Sequence, residues 1–125
     1  MSKDKTGGDT VVMDEHDLMV SLYTKQSGQQ QHPFLECVEG EDVGKRFLIG
    51  EGRQVVGRSK QCHIRLNDKH VSSRHAEVRR GGVGLLIEDL ESANGTFVNE
   101  RRVKRAVLAN NDEIRLGQST LKVIV

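Results

Sequence analysis

Three short stretches carry residue types from which an anion-binding or nucleophilic site can be built. They are Gly57-Arg58 in VVGRS (55–59), Ser72 to His75 in VSSRHAEV (71–78), and Asn94-Gly95 in SANGTFVN (92–99). Arg58 brings a planar, permanently charged guanidinium whose paired N–H donors match the oxygens of a phosphate. Ser72 adds a hydroxyl, and a tight loop around it adds backbone N–H groups. Asn94 carries both a donor and an acceptor, so its amide can pair with the backbone of an extended peptide. If they converge, these groups make a site for a doubly charged oxyanion carried on a peptide. Each hydrogen bond to a charged group contributes about 1.5–3 kcal/mol. Three or four of them, less the ordering cost, give micromolar affinity, about −8 kcal/mol.

Other chemistries fit the same residues less well. Ser72 and His75 pair a nucleophile with a base, and Asp89 supplies a third member. No GxSxG elbow surrounds the serine, however, and nothing marks an oxyanion hole, so no enzymatic activity is expected. His63, His70 and His75 lack a zinc spacing, so neither a metal nor a cofactor is expected. Gly81-Gly82-Val83-Gly84 reads as a hairpin turn, not a nucleotide loop, because no helix follows it. Asn94-Gly95-Thr96 is formally a glycosylation sequon. The basic run RRVKR (101–105) reads as a solvated strand edge that deters edge pairing, with a docking surface for an acidic partner as the lesser reading.

The elements that must position these groups are short strands. From Phe34 onward the chain runs through FLECV, KRFLI, RQVVG, CHIRL, HAEVRR, LLIEDL, TFVN, RRV, EIRLG and STLKVIV, with turn signals between them and no helical period. In CHIRL the alternation puts Cys62, Ile64 and Leu66 on one face. About eleven short strands at this spacing predict an all-β fold, an antiparallel β-sandwich whose loops gather at its two ends. Function in such folds sits on the loops.

Bulk properties narrow the class. The 19 Lys and Arg nearly cancel the 18 Asp and Glu, which argues against a nucleic-acid binder driven by bulk charge. No run of 18 apolar residues is present, so no membrane span is expected, and MSKDKTGGD lacks the apolar segment of a secretory signal. Cys37 and Cys62 read as free thiols of a reducing compartment, and a cytoplasmic location follows. The final strand runs to Val125, which suggests a fragment of a longer protein.

Gly57-Arg58, Ser72-x-x-His75 and Asn94-Gly95, in this order and flanked by Ile64/Leu66, Asp89-Leu90 and Val98-Asn99, resemble the forkhead-associated (FHA) domain over residues 34–125. The resemblance implies a β-sandwich that binds phosphothreonine peptides without catalysis. It assigns the phosphate to Arg58 and Ser72 with help from Ser73 and Arg74, and the ligand backbone to Asn94. His75, Gly57 and Gly95 become architectural supports. Lys69 and His70 lie where the family often reads the residue three past the phosphothreonine. Ser73 and Ala93 depart from the family, which often has arginine or asparagine at the first position and threonine or serine at the second. A buried threonine methyl gives only about 0.8 kcal/mol, so strong selectivity over serine also needs a shaped pocket.

Residues 1–33 differ in composition: polar, charged, with QSGQQQ at 26–31 and the sole proline, Pro33. They are expected to form a mostly flexible tail with a possible binding motif. Thr10, in GGDTVVMDE, and Thr6, three residues before Asp9, are its candidate phospho-acceptors. The expectation is a phosphothreonine-binding module of a bacterial signalling protein, served by a Ser/Thr kinase. Its ligand is a phosphothreonine-containing protein or its own tail, and its output domain, such as a diguanylate cyclase, lies outside this chain. A phosphate-independent docking scaffold is the alternative.

Overall fold

A computed structural model of the protein describes residues 32–82 and 84–125; Thr6 and Thr10 lie outside the described residues. Alternating apolar side chains set the strands, and eleven form among the described residues: β1 (Phe34–Glu39), β2 (Arg46–Leu48), β3 (Gly52–Gly57), β4 (Ile64–Arg65), β5 (Ala76–Gly81), β6 (Gly84–Asp89), β7 (Thr96–Val98), β8 (Arg101–Val103), β9 (Arg105–Leu108), β10 (Glu113–Leu116) and β11 (Ser119–Ile124). They make two sheets, ordered β2-β1-β11-β10-β7-β8 and β4-β3-β5-β6-β9. Inward residues of both sheets, among them Leu35, Val56, Ile64, Leu66, Val78, Ile87, Ile114, Leu116, Leu121 and Val123, are almost fully buried and join in one aliphatic core. Among the described residues no helix is long and apolar enough to cross a membrane.

The sandwich is as the alternation predicts, with two differences around β4. That strand pairs parallel to β3, through Val56 with Ile64 and Gly57 with Arg65. It is also only two residues long, because residues 59–62 close a turn through Cys62 N–H to the Ser59 carbonyl at 3.1 Å. Cys62 is therefore only half-buried, while Ile64 and Leu66 enter the core. Both cysteines are free thiols. Burial pushes the Cys37 thiol above its ordinary pKa.

Strand direction sorts the loops into two ends. β3 and β6 end, and β5, β7 and β11 begin, at a rim that holds residues 58–63, 66–75, 90–95 and 117–118. At the opposite end the β7–β8 turn is closed by Asn99 and Glu100, with φ of 50° and 68°. Two positive values in a two-residue turn match the right-handed twist of the strands they join. Phe34 pairs with Ile124 at the end away from the rim, so the chain enters β1 there.

Candidate functional site

Gly57 at the end of β3 permits the closest approach in the rim. A Cβ there would stand 2.2 Å from the Ser73 carbonyl oxygen and 2.9 Å from Cys62 Sγ. Only the missing side chain lets the 70–75 loop lie against β3. Backbone bonds then fasten the two together: His75 N–H to Val56 O at 2.9 Å, Arg58 N–H to Ser72 O at 3.0 Å, and Ser59 N–H to Ser73 O at 3.2 Å. Cys62 adds its S–H to the same Ser73 carbonyl at 3.0 Å.

Arg58 donates through Nε to Val71 O at 2.9 Å, which fixes the side-chain stem. Its two Nη groups have no partner among the described residues, and the residue is exposed. Ser72 Oγ accepts the Ala93 N–H at 3.0 Å, so its own hydroxyl hydrogen stays available for an acceptor. Asn94 Nδ2 donates to His70 O at 2.8 Å, leaving Oδ1 without a donor among the described residues. The structure thus brings Arg58, Ser72 and Asn94 together across three loops, each held by one contact and open at another.

His75 is fully buried beneath them. Its Nδ1 accepts the Ser72 N–H at 3.1 Å, and Nε2 stands 2.8 Å from Gly95 O. A ring that accepts at Nδ1 and faces a carbonyl at Nε2 must carry its proton on Nε2. Both nitrogens are spent on backbone, and neither meets Ser72 Oγ. Asp89 bonds to Ser92 and Thr96, not to the imidazole. The serine–histidine–aspartate geometry of a hydrolase is absent. His63 likewise uses Nδ1 to accept the Val55 N–H at 3.0 Å.

Ser73 contributes its carbonyl, while its hydroxyl and the Arg74 side chain are exposed at the rim without partners among the described residues. Lys69 and His70 line a cavity of about 260 Å³ with Gly40, Glu41, Asp68 and Gln118. Ala93 acts through its N–H. Gly95, with φ of 92°, adopts a left-handed turn that suits glycine, and its missing Cβ leaves room for the Arg102 guanidinium.

Two buried or half-buried carboxylates hold these loops: Asp68, which no spacing argument singled out, and Asp89, which the sequence offered only as the third member of a triad and as a flanking residue. Asp68 accepts from His70 N–H at 2.8 Å, Gln118 N–H at 2.9 Å and Ser119 Oγ at 2.7 Å, tying the 66–75 loop to the β10–β11 turn. Asp89 accepts from Ser92 Oγ at 2.6 Å and Thr96 Oγ1 at 2.7 Å, and Ser92 Oγ accepts the Gly95 N–H at 2.9 Å. Burial alone would raise both carboxyl pKa values, but these hydrogen bonds, with a smaller attraction to His70 or His75, outweigh it and hold both below the ordinary value. Asp68 finds Ser119 from 51 residues away, which no local motif reveals.

Comparison with known proteins follows the same residues. The family model of the FHA domain matches residues 54–117. The glycogen accumulation regulator GarA of Mycolicibacterium smegmatis is 43% identical over 82 residues, 66% of this chain and 52% of that protein. The oxoglutarate dehydrogenase inhibitor of Corynebacterium jeikeium is 42% identical over 82 residues, 66% of this chain and 57% of that protein. The match thus spans about half the length of these curated relatives. A solved structure concerned with phosphothreonine-dependent FHA domain interactions is 38% identical, has a TM-score of 0.71, and covers 76% of this chain and 97% of its own.

Proposed function

The chain belongs to the FHA family, and from that premise we propose that it is a non-catalytic module that binds phosphothreonine peptides through its rim. The reading is supported above all by the unspent valences gathered there: the Arg58 Nη groups, the Ser72 hydroxyl hydrogen and Asn94 Oδ1. In it, Arg58 and Ser72 hold the phosphate, with Ser73 and Arg74 as flanking donors. Asn94 Oδ1 accepts a backbone N–H of the peptide. Lys69 and His70, beside their cavity, and Ala93 face the residues that follow the phosphothreonine. Gly57, His75 and Gly95 keep the three loops in register. Residues 34–125 form the binding domain and residues 1–33 a tail.

The ligand is a phosphothreonine-containing protein or the tail itself, phosphorylated by a Ser/Thr kinase at Thr10 or Thr6. From Thr10 to Phe34 is 24 residues, about 27 Å root-mean-square for a flexible chain. The chain enters β1 at the end away from the rim, roughly 20 Å off for a six-residue strand. The two lengths are compatible, and tethering to near-millimolar effective concentration would fill a micromolar site. Occupancy by the tail would then exclude outside ligands. The relatives' names, a regulator and an enzyme inhibitor, and their bacterial sources favour control of another protein's activity in a bacterium. Control of an output domain outside this chain, such as a diguanylate cyclase, is the other form the regulation can take.

An oriented phosphothreonine peptide library, with serine and unphosphorylated counterparts and with tail peptides carrying phosphate on Thr10 or Thr6, tests the reading on the whole chain. Phosphothreonine-dependent binding supports it. Equal binding of unmodified peptides would instead make the chain a phosphate-independent docking scaffold.

A further inference from the structure

The two edges of the six-stranded sheet are guarded differently. β8 closes one side with Arg101 and Arg102, both exposed, as the basic composition of 101–105 predicts for an edge that deters pairing. β2 closes the other side and exposes a leucine. Leu48 is 68% accessible, the most exposed large apolar residue among those described. It stands opposite Phe34, and Phe34 opposite Ile124, so the three form an apolar row on the outer face. Their neighbours Leu35 and Val123 are buried, which fixes the side the row faces. On the inner side of β2, Phe47 packs against the core but is only partly buried.

The backbone of β2 is open as well. Ile49 N–H donates to Pro33 O at 3.0 Å and Cys37 N–H to Lys45 O at 2.9 Å, with Leu35 opposite Phe47 between them. Bonded residues alternate along an antiparallel ladder, so Lys45, Phe47 and Ile49 face β1 while the peptide groups of Arg46 and Leu48 point away from it. Those outward groups have no partner among the described residues.

One stretch of the chain outside the described residues matches this edge. Leu18-Met19-Val20-Ser21-Leu22-Tyr23 contains neither glycine nor proline. Extended, it puts Leu18, Val20 and Leu22 on one face and Met19, Ser21 and Tyr23 on the other. Residues 24–33 join it to Phe34, a link of about 17 Å root-mean-square for a flexible chain. A strand added outside β2 would lie two strand spacings from β1, about 10 Å. The link is thus long enough to pass around the end of β2.

We propose that residues 18–23 add a strand to the free edge of β2, running parallel to it. Tyr23 then sits at the end away from the rim, where β1 begins, and Leu18 at the rim end. Leu18, Val20 and Leu22 continue the inner row beyond Phe47, and Met19 and Tyr23 flank Leu48. Leu18 comes to lie beside the β1–β2 turn, which Asp42 ties to the rim by accepting the Asn67 N–H at 2.6 Å. The residues before Leu18, Thr10 among them, are thereby delivered to the rim end of the sandwich. The pairing itself needs no phosphate, and it stands or falls apart from the phosphothreonine reading.

Tyr23 is the only tyrosine and the chain has no tryptophan, so tyrosine fluorescence reports on this segment alone. On the full, unphosphorylated chain, amide exchange over residues 18–23 should be slowed about tenfold or more relative to a free peptide of residues 14–27, and acrylamide should quench Tyr23 less than in that peptide. Leu48→Lys, and Val20→Pro, which removes a ladder donor, should each return both readings to the peptide values. Circular dichroism on both variants checks that the sandwich is intact, as the exposure of Leu48 and the place of Val20 outside the sandwich lead one to expect. Peptide-like exchange in the parent chain, or protection that survives both substitutions, overturns the proposal. Protection that appears only as protein concentration rises, together with a dimer in sedimentation, gives the edge to a second copy of the chain and overturns it too.

Discussion

Asn94 and Asn99 stand at the two ends of β7, and their hydrogen bonds separate the two ends of the sandwich. Asn99 engages both ends of its amide: Nδ2 donates to Asp112 Oδ1 at 3.0 Å, and Oδ1 accepts the Glu113 N–H at 3.0 Å. Asp112 is equally committed, taking the Ala109 N–H at 2.8 Å through its other oxygen. Asn110 closes the same end by accepting the Val125 N–H at 2.9 Å. Asn94 makes one contact, to His70 O, and leaves its oxygen open. Arg58 and Ser72 follow the same rule, one contact to hold the side chain and one to offer. The lesson is that residue type does not mark the functional end of this fold; the remaining valence does. Saturated asparagine and aspartate make a cap, and half-satisfied ones make a site.

The largest effect that would break this comparison is at the phosphate itself. Arg58→Ala should cost about a hundredfold in phosphopeptide affinity by calorimetry, since it removes two charge-assisted donors, with little change in melting temperature because the residue is exposed. At the opposite end the effects should reverse. Asp112→Ala orphans the Ala109 N–H and the Asn99 amide, and should lower stability by about 2–3 kcal/mol, roughly 10 °C in melting temperature, with phosphopeptide affinity unchanged. Affinity that falls with Asp112 would mean the two ends are coupled, contrary to the division drawn here.

The asparagines themselves give a sharper, smaller contrast. Asn94→Ala should weaken binding by about tenfold and barely move the melting temperature, whereas Asn99→Ala should cost about 1–2 kcal/mol of stability and leave binding intact. Smaller still is the pH response. The phosphate of the ligand loses its second charge below a pKa of about 6, so affinity should fall a few-fold between pH 7 and 5. Asp68 and Asp89 act lower. Because their folded pKa values lie beneath the ordinary 3.8, the stability they contribute is fully present above that value. It is lost as pH falls through the lowered value. The stability gap between the parent chain and Asp68→Asn should therefore be flat from pH 7 to 5 and close only in stronger acid, as followed by denaturant titration.

The legible part of the molecule was the part written in short-range pattern. Alternation along β1, β5, β6, β10 and β11 marked strands because a two-sided sheet demands period two. Gly57-Arg58, Ser72-x-x-His75 and Asn94-Gly95 stood out because each packs an unusual set of groups into a turn. CHIRL misled where a tight turn at 59–62 took residues that alternation assigned to a strand and left Cys62 beside the Ser73 carbonyl. Asp68 escaped notice because its meaning depends on Gln118 and Ser119, far along the chain.

By itself the sequence determined the all-β class, the aliphatic core and the identity of the groups able to meet an anion, since each follows from local periodicity and side-chain chemistry. Only the tertiary structure decided which of those groups stay open. That choice depends on partners brought together by strand pairing: Val71 for Arg58, Ala93 for Ser72, His70 for Asn94, and Gly95 for His75. A hydrogen-bonding group is a ligand contact or a brace according to whether its neighbours in space have already claimed it, and those neighbours are set by the sheets.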